Sequence, residues 1–528
     1  MLSMDEKRGL KKIFNYRPMV SMCLFFMAGI IFVVGIYSKT TYRIILSCIV
    51  AIAFVTTVII KLILAKEHKV FKVLSIILAF AIASGVSVLA IEIENGKNNY
   101  SGEYFIEGRI CERTYESSGG YTVVTIDSVN ITSLETLSKT SIDGKLRFYL
   151  EEADGRAYQF VLGEKVNASM QITKASMFID GEPNFYMYNK DVKLLGFGSE
   201  ESVVSTNEID ATIFDKFKTK VKTILDTHMS SEYSELGYTM LFGDKAGLPD
   251  EITDSYSASG ISHLLAVSGL HVGFVVTLLS AFLNFLKASN KLKFVIITAV
   301  VFVYALLCEF TVSVTRALIM TIVMLFSKLR FKEYDGLNSL AFAGLLILLF
   351  KPFELYNVGF QMSFGSVCSI ILLSPILTET FSKFLHKKFA GSLSVSLSAQ
   401  VGITSPLMLS FSKMSIYSVV TNIIVIPIAS LAFMFLFASV IISLFVPALG
   451  VFTYMFEFLM RIVTGISSLT GSINFASVNP VILYLFSFSV IALGLILSDY
   501  IFMKKRARII SGLATATTCL ILFVCLFI

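Results

Sequence analysis

The sequence predicts a polytopic α-helical membrane protein carrying one small extracytoplasmic β-barrel, OB-like in pattern. Three observations predict it. Of 528 residues, 55% are hydrophobic and 16% charged, where a soluble chain carries about a quarter charged. Apolar runs of about twenty residues, the length that crosses a bilayer as a helix, recur about thirteen times. Between Glu103 and about Gly198 the apolar period changes to two, the spacing of strands.

The N-terminal unit, residues 1–95, opens on Lys7, Arg8, Lys11, Lys12 and Arg17 before the apolar run 18–37. That run is too long for a cleaved signal and lacks a small-x-small site, so an uncleaved anchor is expected. Basic flanks stay in the cytoplasm, which places the N-terminus there. Runs 44–64 and 73–93 follow, with Lys61, Lys66, Lys69 and Lys72 around the turn between them. Residues 94 to about 232 then fall outside. Further on, Lys287, Lys291 and Lys293, then Lys328, Arg330 and Lys332, then Lys383, Lys387 and Lys388, then Lys504, Lys505, Arg506 and Arg508 mark alternate turns as cytoplasmic. A last helix, 501–528, is expected to end outside.

The external unit, residues 96–205, reads as five short strands at 104–110, 121–126, 145–150, 165–172 and 191–195. Gly119-Gly120, Asp143-Gly144, Asp154-Gly155 and Asp180-Gly181 supply turns. Five strands in this length fit a small barrel such as an OB-fold, with a small β-sandwich as the alternative. Its aromatics, among them Tyr121, Tyr149, Phe160 and Tyr186, could stack bases. Yet residues 101–200 hold ten Lys/Arg and fifteen Asp/Glu, a net of −5, where a phosphate-binding surface is normally basic. Strand binding there is expected to be local, weak or absent. In residues 206–235, Ile213, Phe217, Val221, Ile224, Leu225 and Met229 share one helix face, with Lys216, Lys218 and Lys222 elsewhere. An amphipathic helix lying on the membrane surface is expected.

Seven cysteines build no framework. Cys111 alone lies in the external unit, so no internal disulfide is expected there. No CxxC or zinc-type spacing occurs, and no metal or cofactor is expected.

Residues 236–500 form the main transmembrane unit, and polar groups stand out against its apolar background. His263, Ser268, Gly269 and His271 follow Gly243-Asp244. On a straight helix the two histidines lie about 12 Å apart, too far to share one ion. A serine nucleophile would want G-x-S-x-G, but Ala266 and Leu270 fill the glycine positions. Beside these stand two broader readings: buried histidines bonded to backbone or neighbouring helices, and the polar lining of a pore at a helix broken at Ser268 and Gly269. A second group is Glu309, Thr311, Ser313, Thr315 and Arg316. An arginine deep in a helix costs about 3 kcal/mol on insertion, so Arg316 asks for a partner, with Glu309 or Asp244 available, unless it snorkels to an interface. Glu457 and Arg461 read as a structural i,i+4 pair. Asn338, Glu354, Asn357, Gln361, Gln400 and Asn422 are scattered among Pro352, Pro375, Pro406 and Pro427. They read as interhelical glue or, with the prolines, as interrupted helices around a cavity.

The run Leu241-Phe-Gly-Asp244, followed by His263-Leu-Leu-Ala-Val-Ser-Gly-Leu-His-Val-Gly273, resembles the signature of ComEC family competence proteins. Thr315-Arg316-Ala317 resembles that family's TRA step, and Pro352 with Gly359-Phe-Gln-Met-Ser-Phe364 its P…GFQLSF step. Gln400, Pro406 and Asn422 through Pro427 resemble its Q…P…N…P sequence. The external β-domain matches too, so the resemblance spans about residues 20–500. It implies a channel in the bacterial cytoplasmic membrane that imports single-stranded DNA during natural transformation, and a chain that is not an enzyme. His263, Ser268, Gly269, His271, Arg316, Gln361, Gln400 and Asn422 would line or support the DNA path, with Asp244, Glu309 and Pro427 as structural support. Besides the strand and the lipid bilayer, implied partners are a cytoplasmic ATPase or translocase, since no P-loop occurs, and DNA receptor proteins. Many members continue into a metallo-β-lactamase-like domain. This sequence has no His-x-His-x-Asp-His motif, so strand degradation is expected of a separate nuclease. The alternatives are an intramembrane hydrolase using Ser268 with His271, or a repurposed transporter of another polymer or solute.

Overall fold

The protein is described from a computed structural model at residues 17–38, 70–96, 100–117, 120–134, 138–151, 160–180, 182–411, 418–446, 450 and 452–471, with scattered positions in 45–55 and 489–519. The expected run 44–64 and the helix 501–528 lie largely outside these residues, and the Asp154-Gly155 turn lies wholly outside them.

Six helices among the described residues are long and apolar enough to cross a membrane. They are α1 (Pro18–Tyr37), α2 (Val70–Gly96), α8 (Asn290–Leu307), α9 (Val312–Leu329), α11 (Val358–Phe381) and α13 (Ser418–Phe445). Two shorter apolar helices, α7 (Gly269–Phe285) and α10 (Gly336–Phe350), pack among them, with α12 (Lys387–Phe411) and α14 (Thr453–Gly471). The chain is a multi-pass membrane protein. Leu74, Val295, Phe302 and Leu431 are exposed on the outer faces of these helices, as apolar side chains meeting lipid tails are. Inner faces interlock: α11 and α12 come so close that a Cβ on Gly365 would lie 2.5 Å from the Gly402 carbonyl oxygen.

Pro375, Pro406 and Pro427 lie inside continuous helices, which corrects the expectation that they interrupt them. A proline in a span is tolerated where neighbouring groups satisfy the freed backbone. Interruptions fall elsewhere. A 3-10 turn, Ser262–Leu265, precedes α7, and another, Pro352–Tyr356, separates α10 from α11.

The barrel follows α2. Its strands are β1 (Ser101–Ile110), β2 (Tyr115–Glu116), β3 (Tyr121–Ser133), β4 (Lys139–Ile142), β5 (Lys145–Glu151), β6 (Glu164–Lys174), β7 (Phe178–Ile179), β8 (Glu182–Pro183), β9 (Val192–Ser199) and β10 (Val203–Ile209), with α3 (Tyr186–Asn189) before β9. The path β1-β3-β5-β9-β6 closes because β6 pairs back onto β1. The β5–β9 pair is parallel and the other ring pairs are antiparallel. These five ring strands are the five read from the sequence. Alternation makes the core: Leu146, Phe148 and Leu150 of β5 meet Val166, Ala168, Met170 and Ile172 of β6 inside. The sheet runs to Ile209, beyond the boundary expected at 205, because β10 pairs with β6.

Beyond it stand α4 (Ile213–His228), α5 (Ser231–Phe242) and α6 (Asp250–Ser259). Thr212 caps α4 in a capping box with Asp215. The expectation that this helix rests its apolar face on the membrane is corrected. Val221, Leu225 and Met229 are buried in a core shared with Phe433, Leu436 and Phe456, and of the apolar residues of the helix only Ile213 and Phe214, at its start, are exposed.

The barrel is docked on the helical unit at several points. Arg113 makes a bidentate pair with Glu235 of α5, at 2.8 and 2.9 Å. Lys193 meets Glu94 at the end of α2 at 3.4 Å. Phe185 stacks on Phe353 with centroids 4.3 Å apart, while Asn189 donates to the Phe353 carbonyl. Lys145 of β5 reaches Glu309, in the turn between α8 and α9, at 3.5 Å.

Candidate functional site

Some of the residues that the sequence isolates, Ser268, Gly269, His271 and Arg316, come together where α7 begins. Gly260, at φ +78°, ends α6 in a left-handed cap, a conformation glycine adopts without penalty. The 3-10 turn then carries His263, half-buried, its ring bonded to the Gly260 backbone. The chain extends through Ala266, and Ser268 becomes the N-cap of α7. Its Oγ accepts from the Leu270 amide at 3.2 Å, while its own amide donates to His271 Nδ1 at 3.1 Å. His271 thus takes the part that Glu or Gln plays in a capping box. It is buried against the ring of Phe433, centroids 4.5 Å apart.

This geometry decides what the Ser268–His271 pair can do. Ser268 Oγ lies 3.4 Å from His271 Nδ1, the arrangement of a nucleophile and its base. But Nδ1 has one in-plane lone pair, and the Ser268 amide already uses it. The neutral ring then carries its proton on Nε2. The pair fastens a helix end and is not poised to take a proton from the hydroxyl.

Arg316 faces this helix end. It lies in the first turns of α9 and is 6% exposed, so it does not snorkel to water. Its Nη1 donates to the Ser363 carbonyl of α11, and its guanidinium lies 5.9 Å from the centroid of Phe364. Ser313 donates to Ser363 Oγ at 3.0 Å. Gly269, the first residue of α7, is pressed against the guanidinium: a Cβ there would sit 2.5 Å from Nη2. Arg316 Nε has no hydrogen-bond partner.

Neither carboxylate expected to balance Arg316 does so. Glu309 turns to Lys218 at 3.2 Å and Lys145 at 3.5 Å, held in a turn where Glu309 and Phe310 adopt φ +53° and +49°. Asp244 accepts from the Ala246 amide at 2.9 Å, closing the loop after α5. The remaining nominated residues make their contacts elsewhere. Gln361, exposed, donates to the Leu355 carbonyl; Gln400 accepts from Ser418 Oγ; Asn422 Oδ1 is buried without a partner; Pro427 lies within α13. Glu354, buried, accepts from Asn357 at 2.7 Å. Among the described residues no three His, Cys, Asp or Glu side chains converge on a metal-sized point. Sequence reasoning missed Ser363 and Phe364 as the neighbours of Arg316, although both stand in the Gly359–Phe364 motif.

The motifs gathered here lie within the stretch matched by a family model. The model, described as Competence protein, matches residues 240–505, half of the chain. The chain belongs to the competence protein family. Among curated relatives, ComE operon protein 3 of Bacillus subtilis is 30% identical over 259 residues, covering 48% of this chain and 33% of the relative. An uncharacterized protein of Aquifex aeolicus is 34% identical over 217 residues, 41% of this chain and 48% of the relative. Recombination protein 2 of Haemophilus influenzae is 22% identical over 158 residues, 29% of this chain and 20% of the relative. The chain thus spans between a fifth and about half the length of these relatives. No solved structure matches it.

Proposed function

We propose that this member of the competence family passes single-stranded DNA through its helical unit into the cytoplasm. The observation that carries this reading is the family match over 240–505 falling on a buried, acid-free cluster of cation and helix end. A phosphate chain cannot cross hydrocarbon, so its route must be enclosed by protein and lined by groups that attract phosphate weakly at several points. His263, Ser268, Gly269, His271 and Arg316 stand at the barrel end of that route, with Gln361, Gln400 and Asn422 as further polar stations.

Which turns meet the barrel supports one orientation. The turns at 308–311 and 351–357 touch it through Glu309 and Phe353. The opposite turns hold Lys287, Lys291 and Lys293, then Lys328, Arg330 and Lys332, then Lys383, Lys387 and Lys388. Arg17, before α1, pairs at 2.7 Å with Asp335, before α10, on that basic side. By the positive-inside rule the basic end and the N-terminus are cytoplasmic and the barrel is outside. Energy for transport would come from a separate ATPase or translocase, and capture of DNA and removal of the second strand from receptor proteins and a separate nuclease.

The test is complementation. The chain is produced in a naturally competent host lacking its own family member, with its presence in the membrane verified, and labelled DNA reaching the cytoplasm is counted. Restored uptake is expected. In its native host, deletion that leaves uptake of labelled DNA unchanged overturns the proposal and favours a transporter of another solute.

A further inference from the structure

We propose that the outward face of the barrel carries a docking band for an extended, cationic peptide segment of a partner protein. This goes beyond the uptake reading and does not depend on it. The band comes from strand register, because residues directly opposite one another on paired strands share a face. Tyr115 of β2 stands opposite Val123 of β3, Val123 opposite Tyr149 of β5, Tyr149 opposite Phe197 of β9, and Phe197 opposite Gln171 of β6. The alternate residues Val124, Phe148 and Met170 fill the barrel core, so this row faces out. It crosses five strands spaced about 4.8 Å apart, about 19 Å in all, the length of about six residues of extended chain.

Two rings form its centre. Tyr149 and Phe197 are stacked, with centroids 5.6 Å apart and planes 16° apart, and Phe197 is 48% exposed. The rings also stand clear of the helices. Lys145 and Lys193, near the starts of the parallel strands β5 and β9, reach Glu309 and Glu94 of the helical unit. Tyr149 and Phe197 lie four residues further along each strand, about 13 Å outward.

Charge selects the occupant. Glu151 stands opposite Tyr121 beside the stack, and Glu103 opposite Gln171 at the end of the band. Both, with Glu116 next to Tyr115, are exposed and pair with no cation among the described residues. Arg147, two residues before Tyr149, is 1% exposed and engaged with Glu112 and Thr125. Lys190 lies over the Tyr186 ring, 5.2 Å from its centroid. A nucleic-acid strand needs cations beside the rings that stack its bases; here the rings stand beside carboxylates, in a domain of net −5 over residues 101–200. A lysine or arginine gains from both, its alkyl stem and charge on a ring face and its charge opposite a carboxylate.

The test uses the full chain in detergent and a fluorescent eight-residue peptide of alternating lysine and serine, capped at both ends. Anisotropy is read against the same peptide with its lysines acetylated and against an eight-nucleotide oligothymidylate. The lysine peptide is expected to bind more tightly than either. Phe197→Ser is expected to weaken it by about tenfold, the scale of a ring contact, and Glu151→Gln by about threefold. An unchanged thermal midpoint shows that each variant is folded; Tyr149→Ser replaces Phe197→Ser if that variant is not. Glu208→Gln, which removes an exposed β10 carboxylate paired with Lys165, is expected to leave binding unchanged. Undiminished binding in the ring and Glu151 variants overturns the band, and so does an equal loss in Glu208→Gln, which would mean attraction to the acidic domain at large. Equal binding of the acetylated peptide overturns the cationic ligand. Tighter binding of oligothymidylate, lost in Phe197→Ser, overturns the peptide and gives the band to a nucleic-acid strand.

Discussion

Removal of Glu112 from the barrel tests how this acidic domain keeps its cations in place. Its carboxylate accepts from Lys145 Nζ at 2.8 Å and Arg147 Nη2 at 3.2 Å. Arg147 is 1% exposed and its Nε bonds Thr125 Oγ1, so Glu112→Gln leaves a buried guanidinium without its counter-charge. Breaking a fully buried pair costs about 3–5 kcal/mol. Glu112 is 22% exposed and Lys145 keeps Glu309, so about 2–3 kcal/mol is expected here. The assay is hydrogen exchange on the full chain, reading the opening free energy of β3 and β5. Glu107→Gln is the control: its partner Lys139 is 58% exposed, and such a surface pair is worth about 0–1 kcal/mol. The pH dependence has a definite sign. Burial alone would raise the Glu112 carboxyl, but Lys145 and Arg147 outweigh it and hold it below the usual carboxylate range. Its contribution is complete above the unfolded value, about 4.3, and is lost as pH falls through the lower folded value. Equal effects of the two substitutions, or a loss of Glu112 stability on raising pH from 5 to 7, would refute the reasoning.

Gly402→Ala is expected to destabilise the helical unit by about 1–3 kcal/mol, because the added methyl group meets the Gly365 backbone directly and α11 must part from α12; an unchanged thermal midpoint contradicts that contact. Ser268→Ala removes the α7 cap and is expected to lower stability by about 1 kcal/mol, read as a lowered thermal midpoint. Covalent labelling of Ser268 by a serine-directed reagent would reinstate the hydrolase reading. Lys139→Cys, on an exposed barrel strand, is expected to react in intact cells with a membrane-impermeant maleimide, and Lys332→Cys is not; the reverse pattern inverts the assigned orientation.

Much of the fold was legible because it is written locally. The five ring strands follow from alternation, as at Leu146, Phe148 and Leu150, and the spans from apolar length. The break before α7 was marked by Ser268 and Gly269, a cap residue followed by a flexible one. What escaped is pairwise and distant. Nothing near Glu309 says that it belongs to Lys145, more than 160 positions earlier, and nothing near Arg316 names the Ser363 carbonyl. Those pairings are fixed by how helices and barrel pack. The surface role expected of α4 failed for the same reason: its stripe at Val221 and Leu225 is genuine, but a stripe does not reveal whether lipid or protein covers it. The prolines misled because a helix in a crowded bundle absorbs the missing amide.

The attachment of the barrel through Arg113, Lys145, Asn189 and Lys193 to four separate places below it has a mechanical corollary. A domain hung from one linker can sweep for its cargo; one bolted at four corners cannot. It behaves as a rigid porch, holding its outer face at a set height and angle above the helices.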